Sequence, residues 1–519
     1  MSRKPTASWN CSSTMNTPEN NYPAEDKQQY DKFQHGFIHD NDKIQHEIFH
    51  DNEKFHEACG VFGLFLNDEE KDAASLVYYG LLSLQHRGQE CAGIAAVKNG
   101  VMDCRKGIGL TSEVFNSEIL DQIRGAAAVG HVLYTSSGTS AIENAQPFMS
   151  RTKLGAIAVA HNGSLTNADV VRELLEDAGT GFVSTSDSEV ITNLIARNYK
   201  KGLEKALTDT IQFIKGSYAL AVLTDNALVG ARDPNGIRPL CLGKLDNGWI
   251  LASESCAVAA VGGKFERDIE PGEVVIINKE GVHSFRLSEK IRRAVCTFEY
   301  VYFARADSII DNVDVYGARI KAGEILARES GVEADLVIGI PDSGMPAAIG
   351  YGRAANIPFG LGIVKSKYIA RTFIAPGQNR REKAVSVKHN IIASEVRGKR
   401  VVMIDDSIVR GTTMRRLVEI MRAAEAKEVH IRVVSPPVLC PCYFGVDTPH
   451  RKDLISNETS TAELCQSLGA DSLAFISVDG LLESLEPSGT APGSQQGKYR
   501  GYCLGCFSGV YPIPVPGEK

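Results

Sequence analysis

The clearest hydrophobic pattern in the chain lies near residue 400. Val401, Val402, Met403 and Ile404 form an apolar run that stops at two carboxylates, Asp405 and Asp406. A short Ser/Gly/Thr-rich segment follows. Met414, Leu417, Met421 and Ala424 then recur at helical spacing. The pattern predicts a buried parallel strand, a loop and an amphipathic helix. Further strands are predicted at 335–340, 428–434 and 473–477, with helices at 317–330, 345–355 and 414–424. Residues 317–485 therefore read as an α/β domain with a parallel sheet.

Upstream the texture changes. Short β-rich runs at 60–65, 92–97, 156–160, 218–224, 249–253 and 273–278 surround helical stretches at 168–178 and 188–199. They predict a layered sheet-and-helix domain over 59–290, with an ordered connector at 291–316. Residues 486–498 are rich in Gly, Ser, Pro and Gln and predict a flexible start to the 486–519 tail. Residues 1–58 are polar and hold a repeat of period eleven, Asp31-Lys32-Phe33-Gln34-His35 and Asp42-Lys43-Ile44-Gln45-His46. The pairs His35/His39 and His46/His50 have the spacing of helical metal ligands. So little apolar content favours a flexible tail or propeptide.

A length of 519 residues implies two or three domains. The net charge of −7, without a basic block, argues against a nucleic-acid binder. No apolar run approaches the ~18 residues of a membrane span. Arg3 and Lys4 lead into polar residues, so no secretory signal is expected. In a reducing compartment the twelve cysteines suggest metal binding or catalysis more than disulfides.

The loop after Val401–Ile404 has a chemical meaning. Successive loop N–H groups and a helix N-terminus form a cradle for a phosphate. Asp405 and Asp406 would repel that phosphate and suit a sugar diol, or a cation held by it. This combination resembles the phosphoribosyl-pyrophosphate (PRPP) motif of type I phosphoribosyltransferases. The resemblance implies that Ser343, in the turn after 337–340, joins Asp405 and Asp406 at a Mg²⁺–ribose cluster. It also implies that Ser407, Arg410, Gly411, Thr412 and Thr413 hold the 5′-phosphate. The basic stretch with Lys365, Lys367 and Arg371 resembles the lid of that family, which neutralises the pyrophosphate leaving group.

The amino-terminal half carries Cys59-Gly-Val-Phe, Leu84-Gln85-His86-Arg87-Gly88-Gln89, Gly130-His131-Val132-Leu133-Tyr134, His161-Asn162-Gly163-Ser164 and Ser186-Asp187-Ser188. In this order they resemble the N-terminal-nucleophile glutamine amidotransferases. The resemblance implies an αββα sandwich. Cys59 would be the nucleophile, with its own α-amine as base once the amine is free. Asn162 and Gly163 would supply the oxyanion donors, Asp187 would bind the substrate amine, and Arg87 and Gly88 would line the pocket. At Leu133 the chain departs from the family, which has an arginine there for the substrate α-carboxylate.

Cys296, Cys442, Cys503 and Cys506 remain. Alone, Cys503-Leu-Gly-Cys506 favours zinc, and four thiolates can hold Zn²⁺ or an iron–sulfur cluster. The four positions match those of amidophosphoribosyltransferases that carry a [4Fe–4S] cluster. Together the motifs resemble that family over residues 57–515. It implies synthesis of 5-phosphoribosylamine from PRPP and glutamine, purine nucleotide inhibitors, a cytoplasmic location and a homo-oligomer. Two other readings stay open: a paralogue using ammonia because of Leu133, or a PRPP-binding regulatory protein.

Overall fold

The computed structural model describes residues 59–134, 142–287, 292–366, 389–448, 450–486 and 501–515. The first of these segments opens on a strand whose two faces are both buried. In Gly60–Leu66, Val61 and Phe65 point into one apolar cluster, while Phe62, Leu64 and Leu66 point into another. Such a strand fits only between two further layers.

The strand belongs to one of two packed sheets, and its faces are covered by the other sheet and by a helical layer. The first runs Lys264–Asp268, Cys241–Leu245, Gly248–Ala252, Gly60–Leu66, Ala127–Leu133, Cys91–Lys98 and Val101–Ile108. The second runs Gly281–Arg286, Glu273–Asn278, Leu228–Arg232, Gly216–Thr224, Gly155–Leu165 and Phe148–Thr152. All the pairings are antiparallel. Small side chains fill the space between the sheets. Ala156, Ala158 and Ala160 face inward there, while the alternating Ile157 and Val159 face a helical layer. Helices Asp187–Asn198 and Leu203–Phe213 bury Val190, Ile191, Ile195, Leu207 and Ile211 in that outer layer. On the other side, Ala73–Ser83 packs Val77 and Leu81 against Phe62 and Leu64. The result is the expected αββα sandwich.

The second architecture is a parallel sheet in the order Leu336–Gly339, Arg400–Asp405, Glu428–Val433 and Ser472–Phe475. Alternation again assigns its faces. Val337, Val402 and Ile404 meet helices Val315–Ser330 and Met345–Ala355. Ile338, Val401 and Met403 meet Met414, Leu417 and Met421 of helix Thr412–Ala423. Helices Val315–Ser330 and Met345–Ala355 approach closely because both offer glycine. A Cβ on Gly323 would lie 1.9 Å from the Ala347 carbonyl oxygen, and one on Gly350 would lie 2.0 Å from that of Ile320.

Between the two lies an irregular segment with a π-helical turn at Glu299–Phe303. Val295–Cys296 pairs in parallel with Tyr502–Cys503, which ties the tail to this segment. Helices Ala73–Ser83 and Leu203–Phe213 and several hairpin strands were not expected from the sequence. Among the described residues, no helix is long and apolar enough to cross a membrane. The repeats in 1–58 and most of 486–498 lie outside the described residues.

Candidate active site

Cys59 stands at the head of the central strand. Its side chain packs with Cys91, Leu133 and Ala145. Its thiol donates to the Tyr134 carbonyl across 3.8 Å. Burial pushes the thiol up to about 11; the Tyr134 carbonyl contact and the Arg238 and Arg87 charges oppose that rise, while Asp187 adds to it. At neutral pH the thiol is therefore protonated and needs a base before it can attack.

The strand Gly155–Leu165 delivers the next group. His161 is held at its backbone, since its carbonyl meets His131 Nε2 at 3.0 Å and its N–H donates to Gln146 Oε1 at 2.7 Å. Asn162 follows and is fully buried, yet neither its side-chain nitrogen nor its oxygen has a hydrogen-bond partner among the described residues. A buried amide left unpaired costs free energy unless a ligand completes it. Gly163 has a φ of +148°, and a Cβ there would meet the Ser217 carbonyl oxygen at 2.2 Å. Only glycine fits here, although the pairing with Gly216–Thr224 continues in register through this position.

Asp187 opens helix Asp187–Asn198, behind the N-cap Ser186. Its Oδ2 accepts from the Leu165 N–H at 2.8 Å, and its Oδ1 lies 3.6 Å from His161 Nδ1. Burial favours the neutral acid and raises its pKa, but His161 and the hydrogen bonds from Leu165 and Ser188 outweigh this and hold the carboxyl below the usual range. An anion is thus fixed within electrostatic range of the Cys59 thiol. Gly88 sits where a Cβ would strike the Val132 and Leu133 backbone at 2.7 Å, so its loop lies directly on the end of Ala127–Leu133.

Arg87 is placed differently from the expectation. Its side chain is fully buried, behind the nucleophile. Nε donates to the Cys59 carbonyl at 3.1 Å, one terminal nitrogen to Glu254 at 2.6 Å, and the other to both Glu299 oxygens at 2.9 and 3.0 Å. The role is therefore corrected: Arg87 supports the backbone of Cys59 instead of lining the pocket. Sequence reasoning missed its partners Glu254 and Glu299, and Arg238 on the far side of Glu299. They lie in segments far apart along the chain and carry no shared motif.

The segment around Cys442 reaches the same region. The Phe444 carbonyl accepts from Arg238 at 2.9 and 2.6 Å and from Ser217 Oγ at 2.9 Å. A Cβ on Gly445, whose φ is +90°, would lie 2.8 Å from the Gly163 carbonyl carbon. Cys296, Cys442, Cys503 and Cys506 line one pocket with Phe298, Phe444 and Tyr511. Burial raises the Cys296 thiol to about 12, and it raises Cys503 and Cys506 as well. Among the described residues, no three potential ligands are arranged to hold a single metal ion.

At the parallel sheet, Asp405 and Asp406 are buried at the carboxyl end of Arg400–Asp405. The Ser343 and Ser407 hydroxyls both donate to the Asp406 carboxylate. The turn after Leu336–Gly339 is thus tied to the neighbouring strand. Ile408 and Val409 point into the two cores and anchor the loop. Gly411, with a φ of +79°, turns it into helix Thr412–Ala423. Arg410 Nε is buried without a partner among the described residues. Thr412 and Thr413 form the helix's first turn, whose backbone N–H groups have no intrahelical partner. Lys365 pairs with Asp342 at 3.3 Å beside the Ser343 turn. Lys367 and Arg371 lie outside the described residues.

Comparison with known proteins agrees with this division. A glutamine amidotransferase domain model matches residues 135–260, and a phosphoribosyl transferase domain model matches 317–452. The amidophosphoribosyltransferase of Archaeoglobus fulgidus is 48% identical over 463 residues, spanning 89% of this chain and 99% of its own. That of Bacillus subtilis is 45% identical, spanning 89% and 95%. A solved structure described as the glutamine PRPP amidotransferase from B. subtilis complexed with ADP and GMP superposes with a TM-score of 0.83. It is 44% identical and covers 89% of this chain and 99% of its own.

Arg87→Met should destabilise the chain by about 3–5 kcal/mol, since it leaves Glu254 and Glu299 buried with fewer partners. The thermal unfolding midpoint measures this. Adding Glu299→Gln should recover part of the loss, and an unchanged midpoint for Arg87→Met would remove Arg87 from the structural role.

Proposed function

The chain belongs to the amidophosphoribosyltransferase family, and from that membership we infer that it converts PRPP, glutamine and water to 5-phosphoribosylamine, glutamate and pyrophosphate. This is the first committed step of purine biosynthesis. The unpaired Asn162 amide carries the glutaminase half of the reading, because a buried donor in this position awaits an oxyanion.

The Cys59 thiol attacks the glutamine side-chain carbonyl after its proton passes to a base. The α-amine of Cys59, with an ordinary pKa of ~7.7–8.0, suits that task once it is free. Asn162 Nδ2 and the Gly163 N–H take the oxyanion, ammonia leaves, and water releases glutamate from the thioester. Asp187 binds the substrate amine. At the second site ammonia displaces pyrophosphate from the ribose. Thr412, Thr413 and their neighbours Ser407, Arg410 and Gly411 hold the 5′-phosphate, and Lys365 faces the leaving group.

Two inorganic groups belong to the proposal. Ser343, Asp405 and Asp406 offer hard oxygen donors that suit Mg²⁺, which would offset charge on the pyrophosphate. The four cysteines suit a [4Fe–4S] cluster, which would join the tail to both halves. The family reading, not the geometry, favours a cluster over zinc. The cysteines line one pocket together, and four thiolates could hold either group. Arg238 next to them offsets negative charge. Inhibition by purine nucleotides, a homo-oligomeric state and a cytoplasmic location follow from the family reading.

Leu133 favours a second reading, in which glutamine is used weakly and free ammonia well. One assay tests both: phosphoribosylamine formation with glutamine and, separately, with ammonium. Cys59→Ser should abolish the first and spare the second. Asn162→Ala should lower the first by about 10²–10³. Asp405→Asn with Asp406→Asn should abolish both, and loss of both in Cys59→Ser would overturn the division of labour.

We propose that residues 1–58 are removed, because only cleavage between Ala58 and Cys59 frees the amine. Amino-terminal sequencing of active protein should begin Cys-Gly-Val-Phe, and full glutaminase activity with residues 1–58 attached would refute the cleavage. Protein purified without oxygen should hold about four irons per chain. Stoichiometric zinc without labile sulfide would replace the cluster with a zinc site.

A further inference from the structure

We propose that Lys106 is the cation that receives the α-carboxylate of glutamine in the Cys59 pocket. The inference rests on the glutaminase reading above and adds to it the residue that recognises the amino-acid end of the substrate.

Glutamine brings an ammonium and a carboxylate to the pocket. Asp187 can take the ammonium. The carboxylate needs a donor, and Leu133, packed beside Cys59, has none to give. The two arginines nearest the thiol are committed. Arg87 spends its donors on Cys59, Glu254 and Glu299, and Arg238 spends its donors on Phe444 and Glu299.

Lys106 is differently placed. It stands opposite Gly93, which in turn stands opposite His131, while Cys91 stands opposite Leu133. By the two-residue period of a strand, Lys106, Gly93, Cys91, His131 and Leu133 share one face of the sheet. Gly93 leaves room on that face, and the Gln146 carbonyl oxygen fills it, 2.0 Å from where a Cβ would sit. Lys106 leans along this gap. Its Nζ donates to the Ala145 carbonyl at 2.5 Å and lies 4.9 Å from the centre of the Phe148 ring. Ala145 itself packs with Cys59, Cys91 and Leu133. The ammonium is therefore one residue away from the nucleophile's own cluster.

Among the described residues, Lys106 has no carboxylate at salt-bridge distance, and the Ala145 carbonyl takes only one of its three N–H donors. Burial lowers its pKa, and the charges of Glu189 and Glu143, neither at contact distance, offset that cost only in part. A substrate carboxylate would supply the missing partner and form a charge-assisted hydrogen bond. A lysine makes a point contact where an arginine would make a fork, so recognition here is looser in angle.

The test compares glutamine with its α-carboxamide, glutaminamide, as substrates for side-chain amide hydrolysis, which gives glutamate from the first and glutamate α-amide from the second, and for phosphoribosylamine formation. Active wild-type protein should prefer glutamine by ten- to a hundredfold in kcat/KM, the size of one charge-assisted contact. In Lys106→Met that preference should vanish, through a raised KM for glutamine, with ammonia-dependent turnover unchanged. Lys106→Arg should restore the preference, which a merely structural defect in Lys106→Met would not predict. If Lys106→Met folds, as its ammonia-dependent turnover reports, and still prefers glutamine, the proposal is overturned. If Lys106→Met does not fold, the decision passes to Lys106→Gln, where a retained preference again overturns it. Absence of any amide hydrolysis in the wild type would instead fail the glutaminase reading itself, and the two failures are distinct.

Discussion

Glu299 is the point on which the molecule is hung. It is a fully buried carboxylate held by two fully buried guanidinium groups, Arg87 from one strand of chain and Arg238 from another. Glu254 balances the second positive charge through Arg87. A lone charge at this depth would be untenable, but two cations and two anions at contact distance are compensated. The same four residues each hold something else. Arg87 holds the Cys59 carbonyl, Arg238 holds the Phe444 carbonyl, and Glu254 accepts from Ser308 and from the Arg305 N–H. Glu299 opens the π-helical turn itself. The nucleophile, the segment between the two architectures and the thiol-bearing loop are thereby fixed by one charge cluster.

From that cluster the two chemistries are tied together in opposite directions. Toward the amide site, Gly445 lies against the backbone of Gly163. Toward the ribose site, Arg319 donates to the carbonyls of Tyr300, Tyr302 and Ala304. Burial lowers the Arg319 guanidinium to about 10, partly offset by the nearby Asp406. A shift of the turn at Glu299–Phe303 would be felt at Gly163 through one set of contacts and at Asp406 through the other. The turn at Glu299–Phe303 is thus packed, through backbone and charge, against elements of both sites.

The sequence announced some of this and concealed the rest for identifiable reasons. Val401–Ile404 was legible because a strand buried on both faces must be continuously apolar, and the carboxylates that stop the run mark the strand's carboxyl end. Asn162 and Gly163 were legible only through resemblance, since nothing in their spacing says that an amide will be buried and unpaired. Helix Ala73–Ser83 escaped notice because its buried face is built from Ala73, Ala74, Val77, Gly80 and Leu81. Small residues give little amphipathic contrast. Arg87 was recognised but given the wrong task. A basic residue in a loop reads as a pocket group, and the two carboxylates that claim it lie in remote segments. Lys106 gave no signal at all, because its significance comes from a bare glycine on the adjacent strand.

The parallel pairing of Val295–Cys296 with Tyr502–Cys503 has a bearing on how the molecule is made. Translation delivers Cys296 first, then Cys442, and Cys503 and Cys506 only after every strand of the sandwich and of the parallel sheet has been made. The pocket they share cannot close on a nascent chain. Until the tail arrives, Cys296 and Cys442 wait with an open side, and Phe298 and Phe444 wait with them. The segment 501–506 therefore closes this pocket, and a chain lacking it would leave the pocket open beside Arg238.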